Sequence, residues 1–144
     1  PADTQRLSVV LGDAAEVAHH PHWHGQIDLL HVDLYDHEAA SPVLDSEDFY
    51  ADCRALLSPQ ACMTVNLFGR SSSYEASLEK IARVFGEDAV WAFRPTREGN
   101  TVVLAQRQAQ RPKREQLALA AERIEAQWGL PACKWLRVFK PLQR

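Results

Sequence analysis

The stretch that decides the fold runs from Ile27 to Asp36 and reads IDLLHVDLYD. Its first six residues are mostly apolar, and Asp33 interrupts them. A short apolar run that ends at a polar residue predicts a buried β-strand over 27–32 followed by a loop. Ligands of parallel sheets collect beyond the carboxyl ends of the strands. Asp33 and Asp36, on that loop, therefore form a candidate carboxylate pair.

Further strands and helices alternate on both sides of this stretch. Strands are predicted over 6–11 (RLSVVL), 61–68 (ACMTVNLF), 90–93 and 101–105, and helices over 14–19, 47–57, 72–85 and 113–128. This alternation predicts an α/β domain with a mostly parallel sheet. The last two strands flank Glu98-Gly99-Asn100 and predict an antiparallel hairpin near one edge. Residues 1–144 predict a single domain, with the sheet core over 1–106 and a C-terminal helix and tail over 107–144.

The longer helices each have one apolar side. Ser46 is a candidate N-cap for the helix after the loop, and Ser72 with Glu75 forms a capping-box pattern before the next helix. The residues expected in the core are Phe49, Cys53, Leu56 and Leu57, then Leu78, Ile81, Ala82 and Phe85, then Leu117, Ala121, Ile124 and Trp128. Trp91 is also expected in the core, and the apolar tail over 135–139 is expected to dock on the domain.

The composition is that of an ordinary globular domain, with 46% hydrophobic and 24% charged residues. No apolar run approaches the roughly 20 residues needed to cross a bilayer, and no signal-peptide pattern is visible. These features predict a cytoplasmic protein without a membrane partner. Cys53, Cys62 and Cys133 are widely spaced and predict reduced thiols rather than disulfides.

Charge is unevenly distributed along the chain, although the net charge is only −3. Residues 7–53 contain ten acids and no Lys or Arg, whereas residues 54–144 contain fifteen basic residues and eight acids. An acidic region can draw in a cationic ligand, although solvated helix faces explain several of these acids equally well. The basic residues around Arg107 to Arg114 lack interleaved aromatics, so they predict a solvated helix face rather than nucleic-acid binding.

The carboxylate pair suits a cationic amine as its ligand. An amine is a nucleophile only after it loses its proton, so alkyl transfer to nitrogen requires a nearby base such as a carboxylate. Capping of the next helix is the structural alternative for Asp36, and Tyr35 either lines the amine pocket or packs within the loop. The histidines over 19–24 cluster around Trp23 without an ordered ligand spacing, and no metal site is predicted there.

The run from Ile27 to Asp36, followed by Leu44 and the aromatic pair Phe49-Tyr50, resembles the signature segment of the polyamine aminopropyltransferases, the spermidine synthases. In that family an apolar strand ends in Asp-x-x-Asp, and an aromatic pair follows on the next helix. The run from Val9 to Ala14 (VVLGDA) is similar to the family's preceding strand. The resemblance covers residues 6–106 and implies a Rossmann-like fold of the methyltransferase type, used by S-adenosylmethionine-dependent transferases.

The resemblance also implies a reaction, the transfer of an aminopropyl group from decarboxylated S-adenosylmethionine to a di- or polyamine. Asp33 would accept the proton, while Asp36 and Tyr35 would bind the amine. Asp13 and the backbone of Ala14 would bind adenine. The co-substrate would be decarboxylated or intact S-adenosylmethionine, without a prosthetic group or a metal. The partners implied are a polyamine and a nucleoside-type substrate, and a homodimer is left open as the assembly.

Two departures from the family pattern bear on what the chain contains. The family loop continues into Pro-x-Gly-Pro-Ala, where this chain has His37-Glu38-Ala39-Ala40-Ser41. The family's glycine-rich first strand-to-helix turn has no counterpart among the six glycines. We therefore expect the chain to be the C-terminal two thirds of a catalytic domain, without its glycine-rich βαβ portion, and to be inactive alone. A methyltransferase of the same fold and a non-catalytic homologue are the alternative functions.

Overall fold

A computed structural model describes residues 6–33, 44–68, 72–97 and 99–142. The helices are α1 (Ala14–His19), α2 (Glu47–Leu56), α3 (Ser72–Phe85), α4 (Arg114–Trp128) and α5 (Ala132–Val138). The strands are β1 (Ile27–Val32), β2 (Leu57–Phe68), β3 (Val90–Phe93), β4 (Asn100–Gln106) and β5 (Phe139–Pro141). Short 3-10 helices span Pro21–Trp23 and Glu87–Ala89. The predicted order of elements is confirmed from α1 to α4, although β2 begins at Leu57 rather than at Ala61. The prediction that the strand over 27–32 is buried is wrong, because β1 lies at the end of the strand order and Val32 is the one buried residue among its six.

The five strands form one mixed sheet in the order β1-β2-β4-β3-β5. β1 and β2 are parallel, and each of the other three pairings is antiparallel. β1, β2 and β3 consequently point in one direction, and β4 and β5 point in the other. The predicted α/β class and the antiparallel hairpin of β3 and β4 are confirmed, while the described strands have one parallel pairing where a mostly parallel sheet was expected. Gly99 in the hairpin turn has φ 91°, a left-handed conformation that favours glycine.

The core lies between one face of the sheet and the helices α2 and α3. Successive side chains of a strand point to opposite faces, so alternate residues of β2 and β4 enter the core: Met63, Val65 and Leu67, with Val103 and Ala105. All four residues predicted for the core at α2, which are Phe49, Cys53, Leu56 and Leu57, are buried. In α3, Ile81, Ala82 and Phe85 are buried, and Leu78 packs half-buried against the cluster.

The prediction of a buried strand over 6–11 is wrong. Within that segment Leu7 forms an isolated bridge, and Val10 and Leu11 are 76% and 102% exposed. Apolar β-branched residues are favoured in a strand by packing against neighbouring strands. None of the five strands forms a ladder with residues 8–11, so the segment remains exposed.

The C-terminal region departs from prediction at α4. Ala121 is buried and Leu117 is half-buried, but Ile124 and Trp128 are 38% and 67% exposed. The expectation that Ile124 and Trp128 belong to the core is therefore wrong. The reason is that α4 packs mainly along α5, so one narrow strip of the helix is covered.

The apolar tail docks on the sheet, as predicted. It forms the end of α5 and then β5, which pairs with β3. The ring of Phe139 stacks on that of Trp91 with 5.1 Å between the ring centroids. The tail therefore supplies the edge strand of the sheet and part of the cover of Trp91, which is buried as predicted.

Candidate active site

Asp33 lies immediately after β1, at the carboxyl end of the strand, and its side chain is exposed. Its Oδ1 accepts a hydrogen bond from Asn66 Nδ2 at 3.2 Å. β1 and β2 pair in register up to Val32 and Val65, so the residues that follow these two are neighbours. The parallel pairing therefore sets the orientation of the Asp33 carboxylate.

Asn66 is a residue of this site that the sequence patterns do not single out. Its other side-chain atom, Oδ1, is buried and has no hydrogen-bond partner among the described residues. Buried acceptors in native proteins are nearly always paired. The amide oxygen of Asn66 therefore lacks the hydrogen bond that a buried acceptor normally has, whereas its Nδ2 is used by Asp33. An amide within a mostly apolar strand is the signal in the sequence that points to this residue.

Asp36 and Tyr35 lie outside the described residues, as does the rest of the segment 34–43. Their predicted roles stay predictions. The structure describes the two ends of that segment, which are Asp33 on one side and the turn before α2 on the other.

The turn before α2 is held by hydrogen bonds to Asp45. The Tyr50 hydroxyl donates to Asp45 Oδ1 at 2.9 Å. Lys80 Nζ donates to Asp45 Oδ2 at 2.8 Å and to the Asp45 carbonyl oxygen at 2.7 Å. Burial, together with the nearby Asp45 carboxylate, raises the pKa of the Tyr50 hydroxyl well above its usual value, so Tyr50 stays a donor. The second aromatic residue of the Phe49-Tyr50 pair thus anchors the chain directly after the segment that carries Asp36.

Several acids of the acidic segment 7–53 are paired with cationic or titratable side chains. Asp45 pairs with Lys80, and Glu47 pairs with Arg83. Asp52 Oδ2 lies 3.0 Å from His19 Nδ1. Asp33 has no cationic partner among the described residues, which distinguishes it from these acids. The Asp33 carboxylate can therefore attract a cationic ligand.

Asp13, predicted to bind adenine, is the N-cap of α1. Its Oδ1 accepts hydrogen bonds from the backbone N–H of Ala15 at 2.8 Å and of Glu16 at 3.3 Å. The capping role explains why the exposed segment over 8–12 gives way to a helix at Ala14. Both bonds go to one oxygen, and the other carboxylate oxygen of Asp13 takes part in neither of them. The predicted roles of Asp13 and Ala14 stay predictions.

The histidines over 19–24 make local contacts, which include the N-cap of the 3-10 helix Pro21–Trp23. His20 Nδ1 accepts a hydrogen bond from the backbone N–H of His22 at 3.2 Å, and the rings of His22 and Trp23 meet edge to face. Within the described ranges no group of three or more His, Cys, Asp and Glu side chains is arranged to hold a metal ion. The same ranges contain no helix that is long and apolar enough to cross a membrane.

The chain is similar in sequence to known proteins over most of its length. No protein-family model matches the chain. A curated polyamine aminopropyltransferase from Chromobacterium violaceum is 28% identical to it over 131 residues, which cover 90% of this chain and 49% of that relative. The resemblance to the polyamine aminopropyltransferases is confirmed. The chain spans about half the length of the aminopropyltransferases that it matches.

Solved structures give the same result for the fold. A probable spermidine synthase from Corynebacterium glutamicum superimposes with a TM-score of 0.71 at 18% identity, over 98% of this chain and 50% of that one. A spermidine synthase in complex with the transition state analogue AdoDATO superimposes with a TM-score of 0.60 at 15% identity, over 75% of this chain and 39% of that one. The predicted Rossmann-like, methyltransferase-type fold is therefore confirmed.

Proposed function

We propose that this chain is part of an aminopropyltransferase that transfers an aminopropyl group from decarboxylated S-adenosylmethionine to a di- or polyamine. The observation that carries the proposal is the Asp33 carboxylate at the carboxyl end of β1. It is exposed and oriented by Asn66 at 3.2 Å, in a chain 28% identical to a polyamine aminopropyltransferase. Exposed carboxylates at strand ends that lack a cationic partner suit a cationic ligand.

The proposed reaction needs one base and one nucleophile. Asp33 takes a proton from the bound ammonium, and the nitrogen lone pair then attacks the aminopropyl carbon next to the sulfonium. The carbon–nitrogen bond forms as the carbon–sulfur bond breaks, and the bonding pair returns to sulfur. Asp36 and Tyr35 hold the amine, and Asn66 orients the Asp33 carboxylate.

The nucleoside end of the donor is assigned to Asp13 and the backbone of Ala14. Support comes from the resemblance of VVLGDA to the family's adenine-binding element and from the spermidine synthase solved with AdoDATO. The donor acts as a co-substrate, and the proposal includes no prosthetic group and no metal. We further propose a cytoplasmic enzyme that has no nucleic-acid or membrane partner and that assembles as a homodimer.

The proposal is tested by calorimetric titration of the full-length natural protein. Putrescine and spermidine are titrated separately, each with and without a decarboxylated donor analogue. We expect saturable heat from one of the amines and from the donor analogue. If none of these ligands produces heat, the aminopropyltransferase proposal fails, and the non-catalytic alternative is favoured.

Asp33→Asn tests the role of the base. The amide keeps the size of the side chain and cannot accept the proton, so we expect kcat for aminopropyl transfer to fall on the order of a hundredfold or more. Binding of the donor analogue should be nearly unchanged. Asp28→Asn is the matched control, because Asp28 lies at the other end of β1 and accepts a hydrogen bond from Ser58. Unchanged turnover in Asp33→Asn would show that Asp33 is not the base.

A further inference from the structure

Arg54 and Arg107 form a reciprocal contact away from the Asp33 site. Arg54 Nη2 donates to the carbonyl oxygen of Arg107 at 3.2 Å, and Arg107 Nη1 donates to the carbonyl oxygen of Arg54 at 2.6 Å. Arg54 lies near the end of α2, and Arg107 directly follows β4. The backbone N–H of Arg107 bonds to the carbonyl oxygen of Ala61, in the first half of β2. Asp33 follows the far end of β1, which is parallel to β2, so the arginine pair is separate from it.

Both guanidinium groups keep N–H donors that are open to solvent. Arg54 and Arg107 are half-buried, and each bond to a carbonyl oxygen occupies one nitrogen. Of the other nitrogens, Arg54 Nε is buried without a partner. Arg54 Nη1, Arg107 Nε and Arg107 Nη2 are not buried in this way, and none of them bonds to a described residue. These three nitrogens are therefore accessible donors, and they lie within the reach of one arginine side chain.

The arginine pair carries two positive charges without a carboxylate partner. In the described part of the chain the ion pairs involve other cations, which are His19, Lys80 and Arg83. Asp52, the acid nearest to Arg54 in the sequence, contacts His19. The C-terminal end of a helix carries about half a negative charge, so α2 offsets only part of the charge of the pair. A surplus of positive charge remains, and a bound anion can neutralise it.

The segment 107–114 extends this positive region. It contains four basic residues and no acid. Since α4 begins at Arg114, the first three of these residues lie on the loop before α4 rather than on the predicted helix face. The segment contains no aromatic residue, and single-stranded nucleic acid binds largely by stacking its bases on aromatic side chains. The chemistry of the region therefore favours a small anion over nucleic acid.

We propose that Arg54 and Arg107 bind the phosphate group of a small molecule. The free Nε and Nη2 of Arg107 form one edge of its guanidinium, and such an edge binds two oxygens of a phosphate at once. Arg54 Nη1 donates to a third oxygen. A phosphate monoester carries nearly two negative charges at neutral pH and so matches two arginines, whereas a carboxylate carries one. The bonds to the two carbonyl oxygens hold both side chains in place.

Calorimetric titration of the full-length natural protein with inorganic phosphate tests the site. The titration is done at constant ionic strength and about pH 8, where phosphate is mainly a dianion. We expect saturable heat from phosphate. Acetate, a monoanion with two oxygens, should bind about tenfold more weakly. Absence of saturable heat from phosphate would overturn the proposal. A single-stranded oligonucleotide that displaces phosphate and binds more tightly would also overturn it, in favour of nucleic-acid binding.

Variants of the two arginines test their separate contributions to phosphate affinity. Arg107→Lys keeps the charge and a donor for the Arg54 carbonyl oxygen but loses the two-nitrogen edge, so the affinity should fall about tenfold. Arg54→Gln removes one charge and should weaken binding by a similar factor. Arg123→Gln is the matched control, because Arg123 is exposed on α4, and it should leave the affinity unchanged. Arg107→Lys remains informative if Arg54→Gln does not fold. Equal phosphate affinity in Arg107→Lys and Arg123→Gln would contradict the proposal.

Discussion

At the scale of single residues, Asn66 orients Asp33 in the proposed reaction. Asn66→Leu keeps a similar volume and removes the N–H donor 3.2 Å from Asp33 Oδ1. We expect kcat for aminopropyl transfer to fall about tenfold, the effect of losing one hydrogen bond to a charged group. Thr64→Val is the control, since Thr64 lies on the same face of β2 and contacts His31 instead. Equal kcat values in Asn66→Leu and Thr64→Val would argue against a positioning role.

Cys53 gives a prediction about alkaline stability. Burial, with a smaller contribution from the Asp52 charge, raises the pKa of its thiol from 9.0 to about 12. Below pH 9 the thiol is protonated in both states. Above pH 9 the unfolded chain loses the proton first, so stability falls between about pH 9 and 12, by at most ~1.4 kcal/mol per pH unit for one proton. Denaturant unfolding at pH 8 to 11 should show a shallower loss in Cys53→Ala than in the unsubstituted chain. Equal slopes would refute the assignment.

The role of a single residue can be predicted from the sequence when the residue interacts with its neighbours along the chain. Ser46 accepts the backbone N–H of Phe49 at 3.1 Å, and a cap of this kind is visible from neighbouring sequence. Asp33 was predictable because an apolar run ends at it. Asn66 was not singled out, because its link to Asp33 exists only once β1 and β2 are in register. The unpaired indole of Trp91 likewise depends on the docking of β5 and α4.

At the scale of elements, the Asp45 network anchors the end of the segment 34–43. Tyr50→Phe removes the hydroxyl that donates to Asp45 Oδ1 at 2.9 Å, in a residue that is 1% exposed. We expect the free energy of unfolding to fall by about 1–2 kcal/mol. The comparison is Tyr74→Phe, which removes a half-buried hydroxyl that has no hydrogen bond in the described ranges and should change stability by about 0.5 kcal/mol or less. Equal losses in the two variants, measured by urea unfolding, would contradict the anchoring role.

The elements that sequence patterns predicted well are those with local signals. α1 and β1 have the predicted bounds, and the hairpin of β3 and β4 follows from its turn. The segment 6–11 was mispredicted because its apolar, β-branched residues favour a strand only where neighbouring strands pack beside it. The exposed side of α4 was mispredicted because helix periodicity shows which residues share a face and not which face is covered. Ile124 and Trp128 lie on the uncovered part.

At the scale of the whole molecule, the uneven charge is partly neutralised inside the fold. Lys80 and Arg83 of α3 pair with Asp45 and Glu47 at the start of α2, which brings the basic half of the chain onto the acidic half. This pairing follows from the packing of α3 against α2 and is not visible in a count of charges. Asp33, an exposed carboxylate at the open end of β1, is not paired in this way, and it is the feature that the proposed function uses.

The distribution of apolar surface predicts self-association. β1 is the terminal strand of the sheet order, and Leu29 on it is 52% exposed, while Val10 and Leu11 are 76% and 102% exposed. Exposed apolar residues on a terminal strand favour pairing with another chain.

Sedimentation velocity over a range of concentrations should therefore show reversible association, and Leu29→Lys should shift the distribution toward monomer. Leu119→Lys is the matched control, since Leu119 is 55% exposed on α4, and it should leave the association unchanged. A chain that stays monomeric at all concentrations, or an equal effect of both variants, would show that the β1 surface does not drive assembly.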